Sequence, residues 1–199
     1  MAEQVVVPFT SARSQPATEA RSTLLTTSVQ AMRAHGHFAR YEQALDKELK
    51  ETILTAVAGM WLPLEVAMAH YAACDSLKLS SQEELAIGRE VGERVQGTLL
   101  GLLVRTAKTA GLTPWAGLSH ATKLWERLFQ GGSVQVIKLG PKEARLEMVN
   151  NRLFSIAYFR NAFRGLTYGG AELFCEKAYV HELPKLTNDT TLGLRVSWA

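Results

Sequence analysis

The side chains best suited to metal binding or proton transfer in this 199-residue chain are five histidines and two cysteines. His70 and Cys74 are four residues apart, which places both on one face of a helix in a geometry able to clamp a metal or hold haem iron. A metal site needs further ligands, and a cysteine beside a single histidine is more often part of a hydrogen-bonded core. We therefore predict a structural role for this pair. His35 and His37 flank Gly36 without a third ligand nearby, and we predict that they lie in a surface turn.

Sequence motifs for nucleophilic catalysis and phosphate binding are absent. The chain contains no GxSxG motif, no catalytic-cysteine signature and no GxxxxGK[ST] loop. Arg152, Arg160 and Arg164 are spaced so that they could form a basic stripe for an anion, although such rows are usually solvated. We predict no catalytic residues, no metal and no cofactor, and an enzyme is the least favoured of the function classes considered below.

Composition and charge exclude several kinds of partner. The 22 basic and 19 acidic residues give a net charge of +3, which is too small for a dedicated nucleic-acid-binding surface. The most apolar stretch, residues 95–107, is interrupted by polar residues and is too short for a membrane span. The two cysteines are about a hundred positions apart and the N-terminus lacks a signal-peptide pattern, so we predict a cytoplasmic protein.

Hydrophobic periodicity predicts a single α+β domain. Residues 1–17 have no period and predict a flexible N-terminal arm, in which Val5–Val7 could add a short strand. Residues 18–199 form the domain, with helices predicted at 18–34, 38–59, 63–77, 82–109 and 114–130. Alternating residues predict hairpins at 134–148 and 177–198, separated by a helix at 153–174. The predicted fold is a layer of about five helices packed with a small, mainly antiparallel sheet formed by two hairpins with a helix between them.

Four glycines are unusual within the predicted helix 82–109. Gly88, Gly92, Gly97 and Gly101 are four or five residues apart, and each glycine costs up to about 1 kcal/mol relative to alanine in a helix interior. Close backbone approach of another helix is the favoured compensation. A ligand lying against the helix is the alternative.

The second half of the chain resembles a known group of domains. The run from Leu85 to Arg94, the Gly131-Gly132 break, and a helix with Gly165 and Gly169 before the last two strands resemble the 4-vinyl reductase domain group. The Trp61–Leu64 run and the terminal Arg195–Trp198 run are similar to a myxobacterial family of uncharacterised proteins.

This resemblance implies an architecture shared with haem–nitric oxide sensors and with core subunits of vesicle-tethering complexes. Members of that superfamily bind small hydrophobic ligands or partner proteins. The haem sensors hold the propionates with a Tyr-x-Ser-x-Arg motif, and this sequence contains no such run. The resemblance therefore implies the fold, and the missing motif argues against haem.

The function predicted from these observations is a non-enzymatic sensory or regulatory module that binds a small hydrophobic ligand in its core. We predict that the ligand contacts Trp61, Met68, Leu99, Leu103, Phe159 and Phe163. The alternative is a protein-interaction or scaffold subunit with a filled core and no ligand. In either case we expect association with a second copy, as a dimer, or with a partner protein. An internal apolar cavity would favour the first function, and a solid core with a large exposed apolar patch would favour the second.

Overall fold

A computed structural model describes residues 3–10, 15–99 and 113–199, without the side chains of residues 96–99. It confirms the predicted α+β fold. The α-helices are α1 (Ser22–Ala34), α2 (Phe38–Ala44), α3 (Lys50–Leu54), α4 (Leu64–Ser76), α5 (Ser81–Leu99), α6 (Pro114–Leu118), α7 (Ala121–Leu128) and α8 (Ala157–Glu172). The strands are β1 (Gln4–Val7), β2 (Glu19–Arg21), β3 (Trp61–Pro63), β4 (Phe129–Gln130), β5 (Ser133–Gly140), β6 (Glu143–Val149), β7 (Ala178–Glu182) and β8 (Leu192–Trp198).

The main sheet is antiparallel and has the strand order β1-β5-β6-β8-β7. Both predicted hairpins are confirmed, because β5 pairs with β6 and β7 pairs with β8. In β6 the apolar side chains of Ala144, Leu146 and Met148 are buried and alternate with half-buried charged ones, as a strand with one covered face requires. The covered face carries the helices. The opposite face carries ion pairs such as Arg145 with Glu147 at 2.7 Å.

A second, three-stranded sheet was not predicted. Its order is β3-β2-β4, and it joins the start of α1, the start of α4 and the end of α7. Strand β2 occupies residues 19–21, where the sequence predicted the first turn of helix 18–34. The helix prediction is therefore wrong for these residues. The pairing of Ala20 with Leu62 on one side and Phe129 on the other supplies the backbone hydrogen bonds that a helical turn would otherwise make.

The predicted helix 38–59 is also wrong, because the structure divides it into α2 and α3. Leu45 is extended after the end of α2. The carboxylate of Asp46 then accepts hydrogen bonds from the backbone N–H groups of Glu48 at 2.9 Å and Leu49 at 3.3 Å. This local turn competes with helix continuation.

Helix α5 begins with a capping box. The Ser80 N–H donates to a Glu83 carboxylate oxygen at 2.9 Å, and the Glu83 N–H donates to the Ser80 hydroxyl at 3.3 Å. The two reciprocal bonds satisfy donors that the first helical turn leaves free. The end predicted at residue 109 lies outside the described residues.

The contact between α5 and α8 is the most extensive between elements of the described residues, and it is built on glycine. A Cβ atom added at Gly88 would overlap the backbone of Ala162, and one added at Gly165 would overlap the carbonyl oxygen of Leu85. At Gly92 the same atom would lie 3.1 Å from Leu166 Cα, which is tight but not an overlap. The predicted close approach of a second helix is therefore confirmed at Gly88 and Gly92, whereas Gly97 and Gly101 lie where the structure describes no side chains.

We predict that Gly88→Ala lowers the free energy of unfolding by about 1–3 kcal/mol, because the added methyl group must push two backbones apart. Gly92→Ala should stay within about 1 kcal/mol of the wild type, since the gain in helix propensity offsets the tighter contact. Gly92→Leu, with a far larger side chain, should be destabilising. Chemical denaturation of the three variants measures this order. Equal unfolding midpoints for Gly88→Ala and Gly92→Ala would contradict the proposed contact.

Candidate functional site: an apolar cavity

A cavity of about 150 Å³ lies between the covered face of the main sheet and helices α6, α7 and α8. The sheet contributes apolar side chains from its three central strands: Val134, Leu146, Met148 and Val196. Helices α6 and α7 contribute Pro114, Gly117, Leu118, Ala121, Leu124, Trp125 and Leu128. Helix α8 and the turn after it contribute Phe163, Leu166, Thr167, Gly170, Ala171 and Phe174, and α5 contributes Val95. The cavity is thus lined by both layers of the domain.

Two tryptophans hold the helices that surround this cavity. The indole N–H of Trp125, in α7, donates to the Gly131 carbonyl at 3.0 Å. The indole N–H of Trp115, in α6, donates to the Pro141 carbonyl at 2.7 Å, and its ring packs edge-on against Trp198 with centroids 5.2 Å apart. Because each indole is fixed at its polar end, the apolar walls are positioned without a ligand.

The described wall is almost free of polar groups. Thr167 provides its one hydroxyl, which donates to the Phe163 carbonyl at 2.9 Å. No charged side chain lies in this described wall. An apolar space of this kind does not hold water well and favours apolar ligands.

The structure places Phe163 in the cavity wall and Phe159 beside it. Both are buried, and their ring centroids are 5.6 Å apart. Phe159 faces Tyr71, with centroids 4.6 Å apart, on the side of α8 away from the cavity. The two phenylalanines therefore belong to one aromatic cluster, of which only Phe163 is in the described wall.

Of the other predicted contact residues, Trp61 and Met68 are outside the described wall. Trp61 lies in β3 and is half-buried under the guanidinium of Arg21, which is 3.8 Å from the ring centroid. Met68 is half-buried in α4. Leu99 is the last described residue of α5, without its side chain, and Leu103 lies outside the described residues. The six residues remain a prediction as a ligand-binding set.

Sequence reasoning missed the sheet residues and α7 as parts of the wall. The alternation in β6 already identified Leu146 and Met148 as facing the covered side. The amphipathic spacing of Leu124, Trp125 and Leu128 identified the buried side of α7. These two signals could have located the cavity wall. No local feature of the sequence indicates that the space between β6 and α7 is incompletely filled.

A polar cluster lies in the helical layer, away from the cavity. His70 is fully buried in α4, and its Nδ1 lies 2.7 Å from the Tyr41 hydroxyl. Its Nε2 lies 3.9 Å from Cys74 Sγ. Burial lowers the pKa of His70 to about 3 and raises the pKa values of Tyr41 and Cys74 well above their usual range. The histidine is therefore a neutral, hydrogen-bonded core residue, as predicted.

Three further candidate residues are paired with carboxylates. His35 Nε2 lies 2.9 Å from a Glu90 carboxylate oxygen. Arg152 and Arg160 each lie within 3.6 Å of a carboxylate, from Glu65 and Glu182 respectively, and do not form a free basic stripe. The described residues contain no group of three or more metal-ligating side chains.

The fold is similar to that of solved H-NOX (haem–nitric oxide binding) domains. The Fe(II) unliganded H-NOX protein from K. algicida is 10% identical, with a TM-score of 0.63 over 90% of this chain and 96% of that chain. A mutant of T. Tengcongensis H-NOX is 13% identical, with a TM-score of 0.57 over 89% and 97%. An oxygen-binding H-NOX domain related to soluble guanylate cyclases is 14% identical, with a TM-score of 0.54 over 89% and 94%.

No model of a protein family matches the sequence, and no curated protein matches it. None of the helices in the described ranges is long and apolar enough to cross a membrane. At these sequence identities the structural likeness shows the fold alone. The chain therefore has an H-NOX-like α+β fold.

We predict that His70 makes the protein less stable in acid. The unfolded chain protonates this histidine near pH 6.5, whereas the folded protein does not until about pH 3, so the unfolded state binds more protons between these values. The free energy of unfolding should fall by up to about 1.4 kcal/mol per pH unit as pH decreases through this window. Denaturation of wild type and His70→Phe across the window measures this contribution. A parallel pH dependence in the two proteins would show that His70 does not contribute.

Proposed function

We propose that this protein is a non-enzymatic sensory or regulatory module that binds a small hydrophobic ligand in the cavity between the sheet and helices α6–α8. The observation that carries the proposal is an apolar cavity of about 150 Å³ between the main sheet and helices α6–α8. Protein interiors rarely leave such a volume unfilled, because each lost contact reduces stability. The likeness of the fold to oxygen-binding H-NOX domains supports a sensory role.

The volume of the cavity suits a ligand of about one ring. An engineered apolar cavity of about 150 Å³ stays dry and binds benzene or xenon. A benzene- or toluene-sized molecule suits the volume between Trp125, Leu146 and Phe163. Charged ligands are disfavoured, since the described wall offers no opposite charge to replace the lost hydration.

Haem does not fit the residues of this site. Haem iron takes an axial ligand from His, Cys, Met or Tyr. The described wall contains no His, Cys or Tyr, and the sequence of residues 96–112 contains none of the four types. Met148 is the thioether in the described wall, and it packs on the sheet without a second ligand opposite. His70 is occupied by Tyr41 and Cys74 outside the cavity wall.

The alternative function, an interaction subunit with a filled core, receives less support because the core contains this cavity. Association with a second copy or a partner protein remains a prediction. The narrower relationship to 4-vinyl reductase domains and to a myxobacterial family also remains a proposal. Native mass spectrometry of the purified protein tests stoichiometry and retained ligand in one experiment.

We predict that the purified protein, reconstituted with haemin, shows no stoichiometric Soret band from bound haem. Absorption spectra after gel filtration measure this. A Soret band that persists in the wild type and disappears in His70→Ala would contradict the assignment of His70 to the core.

Single-ring hydrocarbons should stabilise the protein by mass action. At ten times the dissociation constant the expected gain is about 1.4 kcal/mol, or roughly 3–6 °C in melting temperature for a domain of this size. Thermal-shift titration with benzene and toluene measures the gain, with palmitate and haemin as larger comparison ligands. The emission of Trp125, whose ring lines the cavity, should change along the same titration.

A matched pair of variants tests the location of this binding. Ala121→Phe places a ring in the cavity, whereas Ala116→Phe adds the same group at a half-buried alanine outside the described wall. Ala121→Phe should abolish the shift and Ala116→Phe should retain it. Equal shifts in both variants would place the ligand elsewhere, and no shift with any ligand in the wild type would eliminate the sensory function.

A further inference from the structure

A second and much smaller cavity, of about 20 Å³, lies on the other side of α8, where that helix meets α1, α4 and α5. Ser28 and Tyr158 are two of the three buried hydroxyl-bearing side chains that line it. Ser28 of α1 is 2% exposed and Tyr158 of α8 is fully buried. The rest of the described lining is apolar apart from Tyr71.

The Ser28 and Tyr158 hydroxyls lie close to each other and to the Cys74 thiol, but neither makes a hydrogen bond of normal length and angle with a described residue. Buried polar atoms in native proteins nearly always have a partner, which is either another protein group or an ordered water. Two such atoms bordering one cavity therefore point to a shared partner in it.

We propose that Ser28 and Tyr158 bind a single buried water molecule in this cavity. A volume of about 20 Å³ exceeds the ~10–15 Å³ that one water requires. Water donates two hydrogen bonds and accepts two, so it can satisfy both hydroxyls whichever way each is oriented. The Cys74 thiol lies near both hydroxyls and offers a weak third partner.

A neighbouring residue shows the main alternative to a bound water, which is a hydrogen bond from the hydroxyl to a backbone carbonyl of its own helix. Thr27, also in α1, donates its hydroxyl to the Thr23 carbonyl one turn earlier at 2.6 Å. Ser28 could in principle do the same with Leu24, which would remove its need for water. The Ser28 hydroxyl instead lies beside the cavity, near Tyr158 and Cys74, without a hydrogen bond of normal geometry to a described residue.

The position of this water gives it a structural role. Gly88 and Ala162, where the backbones of α5 and α8 leave no room for a Cβ atom, line the same cavity. Phe163 and Leu166 line both this cavity and the large apolar one. The water thus bridges Ser28 of α1 and Tyr158 of α8 directly behind the wall of the apolar cavity. In the same region, at Gly165, α8 has no side chain facing α5.

A crystal structure at a resolution that shows ordered water tests the proposal directly. The expected result is one water within hydrogen-bond distance of both hydroxyl oxygens. The peak should be lost or displaced in Tyr158→Phe and retained in Tyr41→Phe, which removes a buried phenol hydroxyl from the neighbouring cluster. An empty cavity, a direct Ser28–Tyr158 bond, or a Ser28 hydroxyl turned to the Leu24 carbonyl would each overturn it.

A solution measurement keeps the test decisive if the Tyr158 variant does not fold. In the wild type, NMR cross-relaxation between water and the Tyr158 ring protons should reveal a long-lived bound water. The signal should disappear in Ser28→Ala and persist in Thr27→Val, which removes the adjacent hydroxyl that already has a carbonyl partner. Absence of the signal in the wild type, or its loss in both variants, would contradict a water held by Ser28.

Discussion

The backbone contact between α5 and α8 is the constraint on which the rest of the structure depends. At Gly88 and Gly165 the two helices approach so closely that neither position accepts a Cβ atom. This contact fixes which side of α8 faces α5 and therefore turns the side bearing Phe163 towards α7 and the sheet. The aromatic cluster around Phe159 and Phe163 fills much of that space, and its rings meet at tilted or edge-on angles. The apolar cavity is the part of this space that the cluster does not fill.

Local signals in the sequence predicted the elements that depend on neighbouring residues. The hairpin predicted at 134–148 and the helix predicted at 63–77 agree with the β5–β6 pair and with α4. The strands β2 and β4 were missed because their partners are distant in the chain, and two or three residues carry no period. Phe163 was predicted because it belongs to an apolar helical face. The cavity itself was not located, since its volume depends on how several elements pack together.

The two sides of α8 differ in chemistry. Towards the sheet the described surroundings are apolar, with Thr167 already bonded to its own helix. Towards α1 and α4 the surroundings include His70, Cys74 and buried tyrosines, whose burial keeps them uncharged near neutral pH. The fold resembles that of H-NOX domains, but the polar side chains that could ligate iron lie in the helical layer and not around the cavity. Ligand recognition in this account therefore rests on shape and apolar contact, and the buried polar groups stabilise the helical layer.

The measurement that tests this account most directly is a crystal structure of the protein pressurised with xenon. Xenon enters preformed apolar cavities without requiring a particular hydrogen bond or charge. The account predicts a xenon peak between Trp125, Leu146 and Phe163, with the surrounding side chains unmoved. Density for protein side chains filling that space, or xenon bound only at other positions, would contradict the central claim that the core holds a preformed site for a small hydrophobic ligand.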